Sequence, residues 1–334
     1  MFVYAGIDEA GYGPFFGPLT VARWVLCIPS LDAEAGIGRP PDLWARLGRA
    51  VCRRIGEVRR TGKVAVNDSK LLTSKAAGFG HLERGVLSFA GLMEPPPAWD
   101  TAGDWLDAAG AGRSADAWPP WLAPTREAPW PALPAKADVE QVRLGRGLLQ
   151  NVAQRIGVQT LGFGVEVVPA AEFNQSLART GSKARLSFEH VAVHLRRVLD
   201  AHGRHTPLVV VDRQSGRTRY GGVLRAGLPG CAVSVLEESL AHSAYHVDRG
   251  DGNTMHVRFQ PEAEAEHMPV ALASMAAKFT RELLMTRFKS WWSAALPAVE
   301  PTAGYGVDGL RFGREIAPHL ERLGVREADL RRRA

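Results

Sequence analysis

The sequence predicts an α/β protein, and three observations carry that reading. Short runs of β-branched and aromatic residues at 2–7 and 19–28, together with the apolar run Leu208-Val-Val-Val-Asp212, have the character of strands. Segments at 137–156, from Ser187 to Gly203, and at 272–292 repeat their apolar residues at helical period. The 334 residues, 46% hydrophobic and 23% charged, supply core for two ordinary domains or for one large α/β domain carrying insertions.

The elements follow in order. Residues 2–7 and 19–28 flank a Gly/Pro-rich turn, so the chain is expected to open on a β-hairpin. Leu43, Leu47, Val51 and Ile55 alternate with Arg and Glu and predict a helix over 42–60, followed by a loop at Asp68-Ser69-Lys70. Regularity then dissolves. Residues 78–136 hold nine of the 22 prolines and five of the nine tryptophans (Trp99, Trp105, Trp118, Trp121, Trp130), which marks the segment as an irregular Trp/Pro-rich insertion. Its tryptophans either stack on bases or pin an irregular loop to the surface.

Val139, Val142, Leu148, Leu149, Val152 and Ile156 then fall near one helical face over 137–156, and a strand follows at 157–168. The next helix starts near Ser187 with Glu189 early and Arg196 and Arg197 late, as the helix dipole favours, and it stops at Gly203. Strands at 208–212, 231–236 and 254–259 and an amphipathic helix at 272–292 complete the pattern, with no internal repeat. Arg331 to Arg333 close the chain as a loose basic tail over 326–334.

The charge is +6, from 41 Lys and Arg against 35 Asp and Glu, which suits a polyanionic partner mildly. Cys27, Cys52 and Cys231 are odd in number and form no CxxC pair, so they are expected reduced in a cytoplasmic protein. No basic leader, signal-length apolar run or 20-residue apolar span is present, so neither secretion nor membrane insertion is expected.

Chemistry concentrates first in Ala5-Gly-Ile-Asp8-Glu9-Ala-Gly11-Tyr12-Gly13-Pro14-Phe-Phe-Gly17-Pro18. Adjacent carboxylates end an apolar strand just before glycines that let backbone approach a ligand. A dinucleotide-binding reading of Gly11-x-Gly13 fails, because Pro and another strand follow where a helix N-terminus would be needed. Read alone, the segment is equally an acidic surface turn. Asp212 ends another buried strand. On the helix from 272, Ser274, Lys278 and Arg281 form one polar stripe opposite Met275, Phe279 and Leu283; it either faces phosphates or is simply solvated. His242 and His246 have i, i+4 spacing but lack the Glu of a zinc-hydrolase helix.

Taken in order, Gly-Ile-Asp8-Glu9-Ala-Gly11-Tyr12-Gly13-Pro, Asn67-Asp68-Ser69-Lys70-Leu71, Val-Val-Val-Asp212, Ala263-Glu264 ten residues ahead of Ser274-Met-Ala-Ala-Lys278, and Pro301-Thr-Ala-Gly304-Tyr305-Gly306 resemble the type 2 ribonuclease H family. The resemblance covers 3 to about 325 apart from the insertion. It implies a ribonuclease H-like mixed five-stranded sheet flanked by helices, with the catalytic domain at 1–77 and 137–325. It further implies two Mg²⁺ or Mn²⁺ ions held by Asp8, Glu9, Asp212 and Glu264, and substrate contacts from Gly11, Tyr12, Gly13, Lys70, Ser274, Lys278 and Tyr305. Hard oxygen ligands suit those ions, and a pair of them suits phosphodiester hydrolysis.

The activity implied is endonucleolytic hydrolysis of the RNA strand of an RNA/DNA hybrid or ribonucleotide-containing duplex by a monomer, leaving 3′-hydroxyl and 5′-phosphate ends. A catalytically silent nucleic-acid-binding module and a ribonuclease H-fold nuclease acting on structured DNA are the alternatives.

Two residues depart from the commonest family pattern. Glu264 stands where type 2 enzymes in the narrow sense usually carry Asp and resembles the type 3 branch; Glu262 and Glu266 are its neighbours in an acidic turn, and the ten-residue offset to Ser274 favours Glu264. Asp248 and Asp251 are lesser rivals. Tyr12 stands where the family usually has Arg. Arg213, Arg217 and Arg219, just after Asp212, are further phosphate candidates.

Overall fold

The computed structural model describes residues 1–73, 78–111, 118–213 and 216–333. β1 (Phe2–Ala10) and β2 (Leu19–Ile28) form the expected antiparallel hairpin, in register from Phe2 opposite Ile28 to Ala10 opposite Thr20. Two short helices, α1 (Ala33–Gly38) and α2 (Leu43–Arg46), lead to a small parallel pair, β3 (Val51–Cys52) and β4 (Val64–Ala65), joined through α3 (Ile55–Thr61). The single helix expected over 42–60 is therefore broken. Leu43, Leu47 and Val51 are buried as the pattern requires, but the chain leaves the helix after Arg46 to pair Val51 with Val64.

Beyond these lie α4 (Gly80–Ala90), α5 (Ala102–Ala108), α6 (Val139–Ile156), β5 (Gln159–Val168), α7 (Ala170–Thr180), α8 (Lys183–His202), β6 (Leu208–Asp212) and α9 (Gly221–Gly227). The chain continues through β7 (Ala232–Glu238), β8 (Ser243–Asp248), β9 (Thr254–Gln260), a 3₁₀ turn at Ala263–Ala265, α10 (Met268–Ala295), α11 (Gly306–Ile316) and α12 (Glu327–Leu330).

One mixed sheet dominates, in the order β5-β2-β1-β6-β9-β8-β7. β1, β6 and β9 run parallel, and the remaining pairs are antiparallel. A mixed sheet flanked by helices is what the sequence predicts, but it has seven strands where five were expected. β8 is the strand the pattern concealed: its residues alternate buried and half-buried, with Tyr245 and Val247 inward and His246 and Asp248 outward. His246 therefore lies on a strand, where i, i+4 spacing has no helical meaning, and His242 pairs with Glu237 at 2.9 Å.

Side chains alternate across the sheet. Val3, Ala5, Ile7, Val209 and Val211 pack with Phe188, Val191, Leu195 and Val198 of α8, while Phe2, Tyr4, Leu208 and Val210 join the larger core around α10. α10 is buried on nearly every side rather than amphipathic. A helix of that kind belongs at the centre of a large core.

The segment 78–136 is not an irregular attachment. It contributes α4, buried along nearly its whole length, and α5. Trp105 stacks on Phe163 with ring centroids 4.7 Å apart and donates to Thr280 Oγ1 at 2.9 Å, and Trp118 and Trp121 are buried as well. The buried Glu83 of α4 accepts from the backbone amides of Ala135, Lys136 and Ala137. Proline-rich irregularity hid a segment whose tryptophans complete the α10 core.

The C-terminal run is likewise held: Leu330 and Arg332 are buried, and Arg332 N donates to Phe15 O at 2.8 Å. No helix among the described residues is long and apolar enough to cross a membrane.

Candidate active site

The centre of the sheet sets the site. β1 and β6 lie side by side and parallel, with Ile7 opposite Val211, and the next residue on each strand is an acid, Asp8 and Asp212. By strand alternation both acids share the face of Tyr4 and Val210, the face that α10 covers. Gly6 explains how closely the helix approaches. A Cβ there would lie 2.2 Å from Pro269 C and from Val270 N, so only glycine lets the first turn of α10 press on β1.

That approach brings Ser274 to the acids. Its buried hydroxyl favours the charged form of Asp8 and donates to Ser69 Oγ at 3.1 Å. The Asn67-Asp68-Ser69-Lys70 segment thus reaches the site through Ser69, a residue that motif spacing alone does not single out.

Glu264 arrives from the 3₁₀ turn just ahead of α10. Asp212 Oδ1 accepts from Ala263 N at 3.0 Å, which fixes the turn against the end of β6. Glu264 is close enough to the Asp212 side chain to raise its pKa, and its Oε2 is buried without a hydrogen-bond partner. The neighbouring acids behave differently: Glu262 is exposed, and Glu266, also exposed, accepts from Gln260 Nε2 at 2.7 Å. Gln260 Oε1 in turn bonds His267 Nε2 at 3.1 Å, and His267 Nδ1 bonds the Tyr4 hydroxyl. This chain of groups, running from the exposed Glu266 to the buried His267 and Tyr4, was missed at the level of sequence. The available signal was that Tyr4 shares the strand face of Asp8, four residues away.

The acids burden one another. Burial, then Asp212 and Glu9, push the Asp8 carboxyl well above the usual range, although Ser274 and the Glu9 amide, 2.7 Å from Oδ1, oppose the shift. Burial, then Glu264, raise Asp212 to about 7, with Glu9 adding to the rise. Asp8, Glu9, Asp212 and Glu264 therefore lie within electrostatic reach of each other, as a set that a cation would relieve. Hard carboxylate oxygens and the orphaned Glu264 Oε2 fit Mg²⁺ or Mn²⁺. Among the described residues no three metal-ligating side chains stand in an arrangement that would hold an ion as they lie.

The loop after β1 flanks the acids. Gly11 has φ +82°, and a Cβ there would lie 2.5 Å from Arg281 Nε and 2.7 Å from Pro18 O. Gly13 meets nothing within 4 Å of a built Cβ and is exposed, so its backbone is open to a ligand; Tyr12 is half-buried. The Gly304-Tyr305-Gly306 segment backs this loop: Phe15 N donates to Gly304 O at 2.7 Å, and Tyr305, 45% exposed, lies 5.2 Å from the Arg281 guanidinium.

The basic candidates divide. Lys70 is exposed beside Ser69, while Lys278 is paired with Glu282 at 2.8 Å. Arg281 is 1% exposed and donates to the carbonyls of Pro18, Phe16 and Ala303, so it holds the loop and does not face solvent. Arg213 is turned onto the carbonyls of Leu240 and Ser239, and Arg217 lies over the Tyr220 ring. Arg219 is exposed beside Glu238, and residues 214 and 215 between them lie outside the described residues.

No protein-family model matches the sequence, and the search of curated proteins gave no match. Solved structures of ribonucleases HII and HIII are similar to the chain over nearly its whole length. RNase HII of Archaeoglobus fulgidus, in a complex with PCNA, is 17% identical at a TM-score of 0.46, with 99% of this chain and 95% of that one covered. Ribonuclease H2 of Pyrococcus horikoshii OT3 is 17% identical at 0.46, over 98% and 92%. Bst-RNase HIII in complex with Mn²⁺ is 14% identical at 0.42, over 99% and 66%.

Proposed function

We propose that the protein is a divalent-metal-dependent endonuclease that hydrolyses the RNA strand of RNA/DNA hybrids, leaving 3′-hydroxyl and 5′-phosphate ends. The observation that carries the proposal is the gathering of Asp8, Glu9, Asp212 and Glu264, from three separate stretches of sequence, at the end of two adjacent parallel strands. Their mutual repulsion in a partly buried setting is destabilising unless cations enter. A carboxylate set of this kind gives an isolated domain no structural advantage.

Asp8, Glu9, Asp212 and Glu264 would hold Mg²⁺ or Mn²⁺, two ions being expected, and the metal supplies an activated water and a stabilised leaving oxygen. The chain does the positioning. Ser274 and the Glu9 amide orient Asp8, the Ala263 amide orients Asp212, and the turn fixed by that bond presents Glu264. The exposed backbone at Gly13 and the half-buried Tyr12 would meet a ribose, where a 2′-hydroxyl distinguishes RNA from DNA. Lys70 is free to approach a phosphate; Lys278 would have to exchange Glu282 for one.

The test is cleavage of a uniform hybrid beside all-DNA and all-RNA duplexes, with Mg²⁺ and with chelator. The proposal expects metal-dependent cutting of the RNA strand in the hybrid alone. A hybrid bound but left intact in both Mg²⁺ and Mn²⁺ would favour a silent binding module, and cutting confined to DNA would favour a different nuclease.

A further inference from the structure

Arg331 to Arg333 end the described chain, and they are firmly placed. The buried Asn174 donates through Nδ2 to the carbonyls of Ala328 and Arg331 at 2.7 and 2.8 Å, and its Oδ1 accepts from the Arg333 amide at 2.7 Å. This clamp feeds the Arg332 side chain, 2% exposed, beneath the Gly11–Pro18 loop, where Nη1 donates to Gly11 O at 2.6 Å and the guanidinium lies 4.9 Å from the Phe173 ring centroid.

A guanidinium carries five N–H donors. Here Nε and Nη2 are both buried without a hydrogen-bond partner. Burial, then the second buried guanidinium of Arg281, lower its pKa to about 9. Buried polar groups are overwhelmingly hydrogen-bonded, and a buried charge normally has a counter-charge. Arg332 is an exception on both counts among the described residues.

A cavity of about 510 Å³ opens beside it, lined by Phe15, Glu327, Ala328, Arg331, Arg332 and Arg333. Three arginines and one glutamate line it, and Glu327 is itself 3.4 Å from Arg331. The loop above contains no Lys or Arg of its own from Gly11 to Pro18. Gly11 is three residues from Asp8, which limits their separation to about 10 Å of extended chain.

We infer that this cavity is an oxyanion site that takes a backbone phosphate of the bound nucleic acid, with Arg332 as the buried donor and Arg331 and Arg333 at its mouth. The identity of the ligand rests on the proposed function; the anion site itself does not. Guanidinium suits the role because its planar fork meets phosphate oxygens two at a time. The bond from Nη1 to Gly11 O ties the site to the loop beside the acids.

Inorganic phosphate is the first probe, titrated against chloride at constant ionic strength while thermal unfolding of the full chain is followed. Phosphate should raise the melting temperature of the wild type, and Arg332→Gln should abolish the rise. Because a buried substitution can itself impair folding, the rim variant Arg331→Gln/Arg333→Gln is measured alongside and should weaken the response. The second measurement is hybrid affinity against salt, where loss of one phosphate contact lowers the log–log slope by about one.

An adventitious ion only, seen as an equal phosphate response in all three proteins, or no response in the wild type, overturns the site. A response lost on mutation with an unchanged salt slope overturns its assignment to nucleic acid. Failure of the wild type to cut hybrid, with the Arg332-dependent phosphate response intact, would instead count against the nuclease reading alone.

Discussion

Asp8 and Asp212 hold their protons more tightly in the folded chain than in the unfolded one, Asp212 to about 7. Between roughly pH 4 and 7 the native state therefore binds the extra proton, and by linkage the stability of the metal-free protein falls as pH rises through that window. Asp212→Asn removes the charge, so at pH 8 without metal it should melt a few degrees above the wild type. In Mg²⁺ the same variant, like Asp8→Asn, should lose cleavage by several orders of magnitude while keeping most hybrid affinity, since phosphate contacts dominate binding. Calorimetry and single-turnover rates check the two halves separately. Glu264→Gln should be as damaging to cleavage as Asp212→Asn, whereas Glu266→Gln, which retains an acceptor for Gln260, should cost less than tenfold; similar losses from both would contradict the assignment of Glu264.

Tyr12 adds a prediction about substrate. A hybrid with four or more consecutive ribonucleotides should be cut much faster than a duplex with one, and Tyr12→Arg should raise single-site cutting selectively; an unchanged ratio would remove the loop as discriminator. At this scale the acids were legible because motif order and spacing survive in the sequence. The role of Arg281 was not: a polar stripe at helical period looks the same whether it meets solvent or, as here, the carbonyls of a neighbouring loop.

Between elements, the decisive contact is α10 against β1. Gly6→Ala would force a methyl within 2.2 Å of the Pro269 and Val270 backbone, and its cost should reach about 3 kcal/mol or more because backbone, unlike a flexible side chain, cannot turn aside. Unfolding in denaturant measures it. The segment 95–132 gives a second prediction: excising it should produce an insoluble or molten protein, since Trp105, Leu106, Trp118, Trp121 and Leu122 leave the core together. A soluble, cooperatively folding product would contradict the packing described for α5.

The hairpin, β6 and α6 were readable because their periodicities are undisturbed. α4 was not, because it keeps Gly85 against Met275, where a Cβ would lie 2.2 Å from Cε, and glycine at a close approach weakens the local helical signal. β8 escaped because its outward side chains are polar and its inward ones few.

For the molecule as a whole, a mild excess of positive charge, +6, is compatible with many partners and decides little alone. What narrows the choice is place: partly buried carboxylates at the centre of the sheet, a glycine loop beside them with open backbone, and buried guanidiniums beneath that loop. Sequence order was enough to nominate Asp8, Glu9, Asp212, Glu264 and the loop. The contribution of the C-terminal run was hidden, because Arg331 to Arg333 read as a tail until Asn174, more than 150 positions away in the sequence, is seen to hold them.

Whether these carboxylates act together on a phosphodiester in the RNA strand of a hybrid is read from end-labelled single-turnover cleavage of a uniform RNA/DNA hybrid in Mg²⁺. The wild type should yield RNA fragments bearing 3′-hydroxyl and 5′-phosphate ends, and Asp8→Asn should yield none beyond background. Cutting by Asp8→Asn at the wild-type rate, or an intact hybrid under conditions where the wild type binds it, would rule out that joint role.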